Sequence, residues 1–136
     1  MRNALMITMV GVMVAVGTAS VMAAGSGSKE STEEAKLLRH VVLFGFKESA
    51  TADEVKSIED AFRALPSRID AIQGFEWGTD VSPEKLANGF THCFFLTFKS
   101  AEDRDTYLKH PDHKAFGALL GPYLGKVLVV DYWAEK

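Results

Sequence analysis

The chain has 136 residues, a hydrophobic fraction of 47% and a formal charge of −3, which is one domain's worth with enough apolar content for a buried core. No run of Lys or Arg is long enough to follow a phosphate backbone, which argues against a nucleic-acid partner. A single cysteine, Cys93, rules out an internal disulfide framework and a cysteine-based metal knuckle.

Residues 1–24 hold 17 apolar residues, all five methionines, no aromatic residue and one charge, Arg2. Val21-Met22-Ala23 puts compact residues where a signal peptidase reads, with Ala24 an equally good cut, so 1–24 is expected to be an export signal and the product periplasmic or secreted. The competing reading is an N-terminal membrane anchor, because the uncharged stretch 4–24 is long enough to cross a bilayer of about 30 Å. Gly11, Gly17, Thr8, Thr18 and Ser20 dilute that stretch, and no cationic cluster follows it at once. Residues 25–34 contain no hydrophobic side chain, so 25–36 reads as a flexible linker and the folded domain as 37–136.

Within the domain, residues 38–46 are apolar on both parities apart from His40, which predicts a strand covered on both faces. Thr51-Ala52-Asp53-Glu54 is a capping box opening a helix. Val55, Ile58, Phe62 and Leu65 form its inward stripe, and Pro66 ends or kinks it. A second strand is expected over 72–81, with Phe75, Trp77, Thr79 and Val81 on one parity and glycines on the other. A third strand over 91–98 is again apolar on both faces. Ser100 then caps a helix whose inward residues are expected to be Tyr107 and Leu108. His110-Pro111-Asp112-His113 interrupts it, and Pro111 suits the first turn of a new helix through Ala115, Phe116, Leu119 and Leu120. Residues 127–133 form the last strand.

This order predicts an α+β protomer of the ferredoxin-like βαββαβ kind, a four-stranded antiparallel sheet with its helices on one face. The other face, apolar on three strands, needs a cover. A second copy in a two-fold homodimer is the economical one.

Arg39-His40-Val41-Val42-Leu43-Phe44, Gly89-Phe90-Thr91-His92, Tyr107-Leu108-Lys109-His110-Pro111-Asp112-His113 and Val129-Val130-Asp131-Tyr132 together resemble the stress-responsive dimeric α/β-barrel (Dabb) family over about residues 37–136. The resemblance implies that two sheets close into a dimeric α/β barrel. Some members resemble plant heat-stable stress proteins, and one is a plant polyketide cyclase that works without metal or nucleotide. By that likeness His113 is a catalytic general base with Tyr107 beside it, and His40 and His92 are further histidines near the same pocket. The first helix departs from the cyclase, with Glu59 at an aromatic position and Phe62 replacing a tyrosine, so the same alkyl-tailed substrate is not expected. Six residues is not a helical turn and Pro111 intervenes, so the closeness of Tyr107 to His113 follows from the resemblance and not from spacing.

The residues themselves add that His40 and His92 fall on even positions of their strands. If those faces turn to the helices, both imidazoles enter one cavity with Phe44, Phe62, Phe94 and Phe116 as a substrate-binding wall. The expected ligand is a small, largely apolar carbonyl compound, and the expected chemistry is cofactor-free proton removal by histidine, as in a lyase or cyclase. A non-catalytic binding or stress-protective module, with the same histidines as a satisfied core network, is the alternative. A cofactor-free oxygenase or haem-handling protein is a third. His110 and His113, three apart, form a weak metal-ligand pattern, and no metal is expected. Cys93 reads as a small hydrophobe on the dimer face, and Trp77 and Trp133 as barrel core. Asp131 is an odd charge in an apolar strand, able to pair with Arg39 or Lys126 or to orient a pocket group.

Overall fold

The computed structural model describes residues 36–135. The expected export signal and most of the linker therefore lie outside the described residues. Strand β1 (Leu38–Phe46) leads to helix α1 (Ala52–Ala64) and a 3-10 turn (Leu65–Ser67). Strands β2 (Gly74–Thr79) and β3 (His92–Phe98) follow, then helices α2 (Ala101–Lys109) and α3 (Pro111–Leu120), and strand β4 (Leu124–Trp133). The strands pair antiparallel in the order β2-β3-β1-β4, the ferredoxin-like arrangement. Among the described residues no helix is long and apolar enough to cross a membrane.

Local chemistry explains the element ends. The Thr51 hydroxyl accepts from the Glu54 amide while the Glu54 carboxylate accepts from the Thr51 amide at 2.8 Å, a closed capping box. Ser100 accepts from the Asp103 amide at the start of α2. Pro66 falls within the 3-10 turn, where its missing amide leaves no helical bond unmade. At Gly45 the register of β1 against β4 shifts, and an added Cβ would lie 2.6 Å from the Gly89 carbonyl oxygen, so only glycine fits that close approach.

The core fills the space between one face of the sheet and the helices. Leu38, Val42, Phe44, Phe94, Leu96 and Phe98 from the sheet meet Ile58, Phe62, Leu65, Tyr107, Phe116 and Leu120. Val55 is only half-buried, so the inward stripe of α1 is narrower than its spacing predicts. Leu108 also differs from expectation: it is 40% exposed, because Tyr107 occupies the one inward position of the short helix α2. The opposite face of the sheet carries Val41, Leu43, Phe95, Leu128, Val130 and Tyr132, and on β4 the last three remain 45%, 45% and 44% exposed. Trp133, expected in a core, is 44% exposed at the end of that edge strand.

Candidate active site

The break between α2 and α3 builds the site. Proline disfavours helical backbone at the residue before it, and His110 adopts φ −61°, ψ 138°, ending α2 and capping α3. Its Nδ1 accepts from the Asp112 amide at 3.2 Å. The chain changes direction there, and His113 in the first turn of α3 folds back onto Tyr107 of α2, their ring centroids 4.3 Å apart. The His113 Nδ1 donates to the Leu108 carbonyl oxygen at 3.2 Å. A carbonyl oxygen only accepts, so the proton sits on Nδ1 and the lone pair on Nε2.

His40 approaches from the sheet, its ring edge-on to Tyr107 at 5.7 Å between centroids. It is buried, and its cross-strand neighbour on β4 is Asp131. The His40 Nδ1–H donates to Asp131 Oδ1 at 2.6 Å, and Asp131 Oδ2 accepts from Arg104 at 2.9 Å. The odd charge in β4 thus orients a pocket histidine. Arg39 instead donates to the Thr97 hydroxyl, and Lys126 lies over Phe90.

His40, Tyr107, His113 and Asp131 form the polar end of a cavity of about 420 Å³ whose remaining wall includes Val42, Phe44, Phe62, Phe116, Leu120 and Leu124. Leu108, Val127 and Val129 also line it. That volume and lining suit a small apolar ligand with one or two polar atoms. Burial holds the His113 imidazole below its ordinary pKa; the Leu108 hydrogen bond opposes the shift and electrostatic coupling to the neighbouring His40 adds to it. Burial pushes the Tyr107 phenol well above its ordinary value. At neutral pH the site therefore presents a neutral imidazole, able to accept a proton, beside a phenol that donates one hydrogen bond.

Six of the eight residues expected at the site line this cavity: His40, Phe44, Phe62, Tyr107, His113 and Phe116. His92 and Phe94 do not. The even positions of β1 and β3 do face the helices, but His40 pairs with Leu96 and His92 with Phe44. The two imidazoles are thus four residues apart along the sheet, roughly 13 Å. His92 instead lies between Trp77 and Phe46, its Nε2 2.9 Å from Glu59 Oε1 and its Nδ1 2.8 Å from the Thr91 hydroxyl. Glu59 accordingly meets His92 and stays out of the cavity lining, so no carboxylate from α1 faces the ligand space. Phe94 is fully buried, stacked on Phe62 at 4.1 Å.

Cys93 faces the other side of the sheet, half-buried, its thiol pKa raised by burial and then by Glu76. Among the described residues no group of three His, Cys, Asp or Glu side chains is placed to hold a metal ion. Arg104 lies beyond sequence reasoning, whereas Leu108, expected inward, reaches the site at its rim and through its carbonyl oxygen. For Arg104 the only signal was a charge on α2 that could reach the one acid in β4.

The chain matches the Stress responsive A/B Barrel Domain over residues 38–134. It is 39% identical to the stress-response A/B barrel domain-containing protein HS1 of Arabidopsis thaliana, covering 74% of this chain and 93% of that one. It is 29% identical to olivetolic acid cyclase of Cannabis sativa, covering 73% and 98%. Among solved structures, hydroxynitrile lyase from Passiflora edulis superposes with a TM-score of 0.71 at 26% identity, covering 75% of this chain and 96% of that one. A dimeric ferredoxin-like protein from Bacteroides fragilis gives 0.60 at 25% identity, covering 72% and 96%. The family match runs from the first residue of β1 to just past the end of β4, and the chain belongs to the stress-responsive A/B barrel domain family.

Proposed function

We propose that this protein is a homodimer that binds a small, largely apolar carbonyl compound and removes a proton from the carbon next to the carbonyl group. The observation that carries the reading is the Tyr107–His113 pair, with His113 Nε2 free of the Leu108 hydrogen bond, at the polar end of an otherwise apolar cavity. The proton passes from carbon to His113 Nε2, and the C–H electron pair moves into the carbonyl group to give an enolate. The Tyr107 hydroxyl donates to the oxygen on which that charge gathers. One relative is named a cyclase and one structural neighbour a lyase, which supports chemistry at such a site. The homodimer reading rests on the exposed apolar face of β4 and on the dimeric neighbour. Export follows from the composition of residues 1–24, and we expect no stable membrane association once that segment is removed.

A second reading, a binding or protective module without turnover, is favoured by one observation. Among the described residues no fully buried side-chain N or O atom lacks a hydrogen-bond partner, as a purely structural polar network requires. Titration with a medium-chain methyl ketone, followed by backbone amide NMR shifts, tests the ligand reading common to both. Shifts should cluster at Tyr107, His113, Phe116 and Leu120. No response at millimolar ketone, or shifts spread over the surface, would contradict it.

A further inference from the structure

Arg104 lies outside the cavity on α2, only partly exposed, in a fork of three hydrogen bonds to two carboxylates. Its Nε and one terminal nitrogen donate to Asp105 Oδ1 at 3.1 and 2.9 Å, and the other terminal nitrogen donates to Asp131 Oδ2 at 2.9 Å. Asp105 fixes the guanidinium plane from the same helix, so the group reaching β4 is already oriented. Asp131 can turn about its side-chain torsions, and the two oxygens are divided: Oδ2 goes to Arg104 and Oδ1 to the His40 Nδ1–H at 2.6 Å. His40 itself is wedged edge-on between Phe98 and Tyr107, so its ring cannot follow a carboxylate that swings away.

We propose that Arg104 is a positioning residue, which acts through Asp131 to hold the His40 proton on Nδ1 and so to present the His40 Nε2 lone pair beside Tyr107 and His113. The consequence is chemical. With Nδ1–H committed to Asp131, the polar end of the cavity carries two imidazoles with free Nε2 atoms and one phenolic donor. It therefore suits a ligand that brings its own donor, such as a hydroxyl or an enol, together with a carbonyl oxygen. The ligand class rests on the proposed function; the Arg104 linkage does not.

The test is the tautomer of His40, read from the ¹⁵N shifts of its ring nitrogens above neutral pH in the purified protein. The unsubstituted protein should show the Nδ1–H form. In Arg104→Met the ratio of Nδ1–H to Nε2–H should fall by about tenfold, the worth of one charge-assisted hydrogen bond. Arg104→Lys should restore most of it, because an ammonium can still hold Asp131 Oδ2. His113→Ala should leave it unchanged. A merely structural strap between α2 and β4 predicts something else: Arg104→Met lowers the melting temperature with the His40 tautomer intact, and that result would overturn the proposal. Failure of ketone binding with a normal tautomer response would count against the ligand reading alone, so the two failures are distinguishable.

Discussion

His113 differs from the other three histidines in that its one hydrogen bond runs to a backbone carbonyl. His40 is tied to Asp131, His92 to Glu59 and Thr91, and His110 caps a helix. His113 commits one nitrogen to the Leu108 carbonyl and has the Tyr107 ring tilted against it. A residue so placed contributes little to folding. His113→Ala should therefore change stability by less than about 1 kcal/mol, while any turnover falls by roughly a hundredfold or more; a clear drop in melting temperature would mark the residue as structural. The depressed pKa of His113 also gives a pH dependence whose sign can be worked out. As pH falls below about 6.5 the unfolded chain takes up the proton first, so the stability His113 contributes is complete above that value. It is lost progressively as pH drops through the lower folded value. Thermal melts between pH 7 and 4 should show this slope in the unsubstituted protein and a shallower one in His113→Ala. The acid limb of any catalysed reaction should likewise lie below pH 6.5.

At the scale of elements, the site depends on one break and one glycine. In an unbroken helix, positions 107 and 113 would stand about 120° apart around the axis, so the kink at His110-Pro111 is what brings the two rings together. At Gly45 a Cβ would press on the Gly89 carbonyl oxygen at 2.6 Å and the Lys126 side chain at 2.9 Å. Gly45→Ala should therefore cost about 1–3 kcal/mol, measurable by urea unfolding; a stability equal to the parent would mean that the close approach at the β1–β4 register shift relaxes freely. Element order, caps and the inward parity of His40 and His92 were legible in the sequence because hydrophobic period and capping chemistry are local. Register was not. Only the cross-strand pairing of β1, β3 and β4 places His40 against Asp131 and carries His92 away to Glu59. Pro111 announced a helix break, but the backbone angle at His110, and with it the 4.3 Å contact, depends on how α3 packs.

For the whole molecule, the sheet face away from the helices decides the assembly. Leu128, Val130 and Tyr132 project from β4 beside Val41, Leu43 and Phe95, a continuous apolar area on a domain of about one hundred residues. The proposed homodimer buries it. Leu128→Arg puts a charge in that contact and should yield a species of half the parent mass by light scattering; an unchanged mass would place the contact elsewhere. The proposed chemistry needs no partner from outside the dimer, and one measurement addresses it directly. An alkyl 1,3-diketone is incubated in D₂O, and exchange of the protons between its carbonyl groups is followed by proton NMR with the parent protein and with His113→Ala. Exchange catalysed by the parent and reduced roughly a hundredfold or more in the variant is the expected result. Equal exchange in both, or none above the buffer rate, would contradict the assignment of His113 as a base acting on a carbonyl compound.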